Sequence, residues 1–232
     1  MRNKSESTET SGLYWILAVL PLIITLLVLP GMPDTVPAHY GFSGQADRWG
    51  SKYELLILPC LTIVFAFGFR WFLLTTTNLK SSPLQDGQKN SNKKVINLSS
   101  FIFVAMFNVM TYIFLYTSYH GVKNIDSVGF NRILSVLLCL MYIIIGNYLP
   151  KCKPNPFIGI RVSWTLNNDE VWFRTHRFGG KVFMIGGFIG AVCSLLTPEA
   201  FALPIAIFVV LLLSAIVCVY ARHIFYNLKE QK

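Results

Sequence analysis

Six stretches of the chain are apolar almost without interruption: Leu13–Pro30, Leu55–Thr75, Ser99–Tyr119, Ile133–Leu149, Val182–Leu196 and Phe201–Tyr220. A helix of roughly twenty such residues crosses about 30 Å of hydrocarbon. Runs that are apolar on every face predict membrane-spanning helices, not amphipathic helices lying on a water-facing core. The fifth stretch is short, and Thr197-Pro198-Glu199 after it leave room only for a tight turn, so the last two predict a helical hairpin. The first contains Pro21 and lacks a small-x-small cleavage pattern, which favours a retained anchor over a signal peptide.

Composition sharpens this picture. Of 232 residues 53% are hydrophobic and only 13% charged, with a mean hydropathy of +0.52. Soluble domains carry about 25% charged residues, and half that number could not cover a water-facing surface. A net charge of +9 would suggest nucleic-acid binding in a soluble chain. Here the basic residues sit between apolar stretches and set topology, so no direct nucleic-acid binding is expected. Segments 1–12, 76–98, 150–181 and 221–232, with Arg70, hold sixteen of the twenty Lys and Arg residues; Arg48, Lys52, Lys123 and Arg132 fall on the other side. The positive-inside rule then puts both termini in the cytoplasm.

The expected fold is an all-α integral membrane protein with six transmembrane helices. Residues 1–12 read as a disordered cytoplasmic tail and 13–75 as an N-terminal membrane domain with a patterned outer loop at 31–54. Residues 76–98 read as a flexible basic cytoplasmic linker, and 99–232 as a second membrane domain with a patterned inner loop at 150–181. Cys60, Cys139, Cys152, Cys193 and Cys218 form no CxxC pair and no metal-ligand spacing, so no disulfide framework is implied; Cys152 is the one loop thiol.

The outer loop carries Pro33, Asp34, Pro37, His39, Tyr40, Phe42, Gly44, Asp47, Arg48, Trp49 and Lys52. Prolines four apart and three glycines predict an extended or turn-rich cap. Tyr40, Phe42, Trp49 and Tyr53 suit the headgroup level, while Asp34, His39, Asp47, Arg48 and Lys52 can form a local polar network. The cap serves either to close the helix bundle or to meet a ligand. One histidine with scattered carboxylates falls short of a zinc site, and neither metal nor cofactor is expected.

The inner loop runs GNYLPKCKPNPFIGIRVSWTLNNDEVWFRTHRFGGK from Gly146 to Lys181. Asn167 or Asn168 is a good N-cap, and Asp169 and Glu170 suit the positive end of a helix. That helix is expected to lie in the interface as far as Phe178, with Gly179-Gly180 bending it into the fifth span. Trp172 and His176, four apart, share a face. Trp164, Trp172 and the basic residues then either anchor the segment to anionic headgroups or present a docking surface. Asn147 and Arg161 are expected to bond one another or Asn155, since a polar group near membrane depth needs a partner. No HExxH, GxSxG, P-loop or intramembrane carboxylate pair appears. An enzyme is therefore not expected, and a proton-coupled transporter is disfavoured.

The stretch GMPDTVPAHYGFSGQADRWGSK resembles the N-terminal signature of a widespread bacterial membrane domain of unknown function. The 146–181 stretch resembles the signature of the SdpI immunity-protein family, and the two occur together in that order in many members. The resemblance implies a bacterial plasma-membrane protein giving resistance to a secreted peptide toxin on the outer side. It also implies a signalling receptor that sequesters a small DNA-binding repressor on the cytoplasmic side. Membrane lipids are the remaining expected partner. The matching positions are Gly146, Asn147, Gly159, Arg161, Trp164, Thr165, Trp172, His176 and Gly180, and in the outer loop Pro33, Pro37, His39, Gly44, Asp47 and Lys52. Two positions depart: Ser163 replaces the usual Pro before Trp-Thr, and Tyr40 stands where Trp is common. The alternatives are a transporter or permease for a small apolar solute and a non-catalytic membrane scaffold.

Overall fold

The computed structural model of the chain describes residues 3–41, 44–78, 86–154 and 159–230. The element order is α1 (Asn3–Val28), β1 (Thr35–Tyr40), β2 (Ala46–Ser51), α2 (Ile57–Asn78), α3 (Asp86–Tyr119), α4 (Phe130–Tyr148), the single turn α5 (Ser163–Leu166), α6 (Asp169–Leu196) and α7 (Glu199–Glu230). Among the described residues six segments are long and apolar enough to cross a membrane: Gly12–Gly31, Lys52–Phe72, Ile96–Tyr119, Phe130–Lys151, Asp169–Leu196 and Glu199–Glu230. Five of the six apolar stretches of the sequence lie wholly within them, and Leu55–Thr75 runs past its span only at Leu73–Thr75; the chain is a multi-pass membrane protein.

Helices α1 and α3 begin earlier than expected. Helix α1 starts at Asn3, inside the tail read as disordered, and α3 starts at Asp86, inside the linker read as flexible. Extending an existing helix costs far less than nucleating one, so an apolar span carries polar sequence into helix at its end. Residues 79–85 of the linker lie outside the described residues.

The chain forms two compact units: Met1–Leu74 with Ser100–Phe130, and Thr75–Ser99 with Asn131–Lys232. This partition differs from the expected division at 76–98, because the membrane part of α3 packs with the first two spans.

In the first unit, α1 buries Tyr14, Ala18, Pro21 and Thr25, a stripe at helical spacing that Leu29 continues in the 3-10 turn after it, while Leu27 stays 75% exposed. Large apolar side chains outside that stripe are at home in hydrocarbon; the narrow buried face is what packs. Tyr14, Ala18, Ala66 and Val104 form one cluster, and Leu29, Met32, Val36, Leu55 and Leu115 another at the hairpin end. Pro21 has no N–H, which leaves the Leu17 carbonyl without its helical donor. The Asn108 side-chain amide of α3 supplies one at 2.9 Å. In a membrane every backbone polar group must find a protein partner, so this bond joins α3 to α1 at the point where α1 is weakest.

In the second unit α6 lies between α4 and α7, and its glycines set how close they come. A Cβ on Gly180 would sit 2.8 Å from the Gly146 carbonyl oxygen, and one on Gly187 would sit 2.9 Å from that of Cys139, both on α4. Gly179 and Gly186 meet Val217 and Leu213 of α7 in the same way. Two stripes seven residues apart, 179/186 and 180/187, let two helices approach α6 on two sides. The helix expected to end near Phe178 instead runs on through Gly179-Gly180, α6 being continuous from Asp169 to Leu196, and these glycines serve close packing. The turn after α6 is tight, as expected, and Arg132 of α4 holds it by donating to the Thr197 carbonyl at 3.1 Å.

Candidate functional site

The outer loop is a β-hairpin, which amends the all-α expectation. Strand β1 pairs antiparallel with β2, Thr35 opposite Ser51 and Tyr40 opposite Ala46, with irregularities on either side of His39. Pro37 is buried within β1, where its fixed φ suits an extended chain and a two-stranded ribbon needs no further donor. The hairpin docks on the 120–128 segment of its own unit. Ile125 N–H donates to the Gly44 carbonyl and Ala46 N–H to the Lys123 carbonyl, each at 2.8 Å, and the Tyr40 hydroxyl donates to the Val122 carbonyl at 3.0 Å. Gly44 has φ +72°, and a Cβ there would run into Asp126 and Asn124, so glycine is required twice over. Burial of the Tyr40 ring pushes its hydroxyl pKa up.

The expected polar network resolves into three pairs. His39 Nδ1 lies 2.6 Å from Asp47 Oδ1, Arg48 donates to Glu54 at 2.8 Å, and Lys52 Nζ lies 2.9 Å from Asp34 Oδ1. The Lys52 partner holds the Asp34 carboxyl below the usual carboxylate range. Pro33 is exposed, as are Trp49 and Tyr53; Phe42 lies outside the described residues.

The inner loop is organised about one pair of rings. Asn168 caps α6 by accepting from the N–H groups of Glu170 and Val171, as the sequence indicated. One turn on, Trp172 and His176 stack with centroids 4.0 Å apart and planes 19° from parallel, both about 1% exposed. Trp172 was expected either to anchor the segment at the interface or to form part of a docking surface; it is instead core, its indole N–H donating to the Cys152 carbonyl at 2.9 Å and its ring lying against Gly159. His176 Nδ1 lies 2.8 Å from the Trp172 carbonyl oxygen, and Nε2 lies 3.0 Å from the Ile160 N–H. A carbonyl can only accept and an N–H can only donate, so the imidazole is neutral with its proton on Nδ1.

Gly159 completes the arrangement. Its φ is +123°, and a Cβ would overlap His176 Nε2 and crowd the Trp172 ring. Past it, the Thr165 hydroxyl donates to the Ile160 carbonyl at 2.7 Å and accepts from Val162 N–H at 3.2 Å, which folds the chain into α5. Cys152 is 1% exposed, and burial pushes its thiol up to about 11, so it is a protonated structural side chain at neutral pH.

Gly159, Thr165, Trp172 and His176 are therefore brought together, and the remaining inner candidates are not. Ile160 packs inward against Gly179, so its neighbour Arg161 turns outward and is exposed; Trp164 is half-buried and Asn147 exposed. The expected Asn147–Arg161 bond is not formed among the described residues, and Asn155 lies outside them. The α4–α6 glycine contacts and the Asn108–Leu17 bond were not foreseen. The seven-residue glycine spacing was a usable signal for the first, and a lone Asn facing a proline-interrupted span for the second.

Comparison with known proteins bears on the same segments. Residues 151–221 match the SdpI/YfhL protein family, and residues 16–63 match a domain of unknown function, DUF1648. The chain is 25% identical over 212 residues to the immunity protein SdpI of Bacillus subtilis (strain 168), covering 91% of this chain and 93% of that one. A 36-residue stretch is 53% identical to an uncharacterized protein of Archaeoglobus fulgidus, covering 16% of this chain and 20% of that one. No solved structure matches the chain.

Proposed function

The chain belongs to the SdpI/YfhL family with an N-terminal DUF1648 segment, and from that premise we propose that it is a membrane immunity protein giving its host resistance to a secreted antimicrobial peptide. The observation that carries this reading is the near full-length similarity to an immunity protein, with the 151–221 family match spanning the Gly159–Trp172–His176 arrangement. With both termini cytoplasmic, as the basic residues favour, the β1–β2 hairpin faces outward. There it offers exposed Trp49 and Tyr53 beside the His39–Asp47 pair, a surface suited to an amphipathic peptide. The inner loop faces the cytoplasm. In this reading its buried rings hold the fold, while exposed Arg161 and half-buried Trp164 form the docking surface for a small DNA-binding repressor.

The test is survival of a sensitive bacterium expressing the chain and challenged with peptide-containing supernatant from the source organism or its near relatives. Protection that His39→Ala or Asp47→Ala removes at unchanged membrane abundance supports the outer contact; full protection by both sinks it. Arg161→Ala separates the two faces. It is expected to keep protection if only the repressor meets Arg161, and to release that repressor from the membrane fraction. Absence of protection against every supernatant, with flux of a small apolar solute in proteoliposomes, would move the function to transport.

A further inference from the structure

One face of α6 changes character at a single residue. Arg174, Arg177, Lys181, Ile185 and Phe188 follow one another at steps of three or four, so they line one side of the helix. The first three are cationic; Ile185 and Phe188 are 62% and 65% exposed, and Lys181 directly precedes the apolar stretch. At the basic end α6 and α7 enclose an open groove of about 460 Å³. Phe178 stacks flat on Tyr220 of α7 at 4.0 Å to form an apolar wall, and Phe173 adds another. The one carboxylate, Glu170, is already matched, since Arg174 donates to it at 2.7 Å. Arg177 and Lys181 line the groove with no ion pair among the described residues.

We propose that this groove binds an anionic phospholipid, its phosphate held between Arg177 and Lys181 and an acyl chain lying along Ile185 and Phe188. Basic groups immediately beside a span attract anionic headgroups, and the continuous step from cation to exposed apolar side chain matches the order of groups in a phospholipid. An acidic protein segment would use the charges but would leave the apolar continuation of the face unexplained.

The experiment is native mass spectrometry of the purified full chain with phosphatidylglycerol, with phosphatidylcholine of the same acyl chains, and with glycerol phosphate. The expected result is one tightly retained phosphatidylglycerol, with neither phosphatidylcholine nor glycerol phosphate retained at the same concentration. The exposed pair Arg177→Gln with Lys181→Gln is expected to weaken retention about thirtyfold, about fivefold per basic residue removed. Arg222→Gln removes a charge outside the groove and is expected to leave it unchanged; circular dichroism checks the fold of each variant. Equal retention of both lipids, or of glycerol phosphate and lipid, overturns the proposal, as does a folded double variant that still prefers phosphatidylglycerol. The wild-type lipid preference decides the headgroup even if the double variant fails to fold.

Discussion

The β1–β2 hairpin and the 152–176 segment are built from similar material, proline, glycine, aromatic rings and a histidine, yet their histidines are held in opposite ways. His39 faces a carboxylate at 2.6 Å with both side chains more than half exposed. His176 is buried and spends both ring nitrogens on backbone partners. An exposed ion pair gains little over water and is screened by salt. A buried neutral group whose donor and acceptor are both satisfied contributes modestly by itself, but its removal strands whatever it satisfied. The Gly159–Trp172–His176 packing is therefore expected to be intolerant of substitution, while the hairpin keeps its charged groups available to something outside the chain.

The contrast breaks most visibly at Gly159. Replacement by Ala places a β-carbon against both buried rings and forces a φ of +123° on a residue that rarely adopts it. Backbone strain and overpacking together predict a loss of about 3–5 kcal/mol. The local readout is Cys152, whose carbonyl accepts from the Trp172 indole. Peptide-resolved maleimide labelling is expected to find it protected in the wild type and reactive in the variant. A protected Cys152 in Gly159→Ala would mean the loop is held from elsewhere. His176→Ala comes next. It leaves the Ile160 N–H without its acceptor and Trp172 without its stacking partner, for about 2–4 kcal/mol. Since no formal charge is lost, the deficit in thermal unfolding is expected to be the same at low and high salt.

These two residues also show how far the sequence could be read. The spans were legible because apolar runs of membrane length are a one-dimensional signal. That Trp172 and His176 share a helix face followed from their spacing. Their burial did not, because it depends on a loop folding back through a positive-φ glycine, and nothing local distinguishes that glycine from one in any turn. The hairpin was legible only as an extended or turn-rich cap, because Pro37 and the register irregularities around His39 interrupt the strand pattern; its docking was not legible at all, since the Gln45–Asn124 bridge joins segments far apart in sequence. Gly179-Gly180 suggested a bend by habit of composition; the repeat at Gly186-Gly187 pointed to helix packing, and it takes the facing Gly146 and Leu213 to make that reading firm.

Asn108 extends the rule of the buried site into the membrane part of the first unit. Asn108→Leu is expected to cost about 1–3 kcal/mol, because the Leu17 carbonyl loses the Asn108 donor while Pro21 remains. Pro21→Ala restores a helical N–H to that carbonyl. Asn108→Leu is therefore expected to cost less in the Pro21→Ala background than in the wild type, a coupling that simple additivity would not produce. Thermal unfolding of the four proteins in one detergent completes the cycle, and additive losses would show that the amide does not substitute for the missing helical bond.

The smallest effects are expected in the hairpin, and there they discriminate most. His39→Ala and Asp47→Ala are each expected to change stability by no more than about 1 kcal/mol, the range of exposed pairs. Acid should loosen the Asp34–Lys52 pair: the lowered Asp34 value means its contribution is present above the ordinary value of 3.8 and is lost as pH falls below it and through the folded value. Asp34→Asn is accordingly expected to remove that part of the acid sensitivity, followed as the pH at which Trp49 fluorescence shifts. If the hairpin pairs proved as costly to remove as His176, the outer loop would be a structural lid and its exposed groups would need no ligand. If they are nearly free in stability yet decisive in the survival assay, the charges of the hairpin are kept for what it binds.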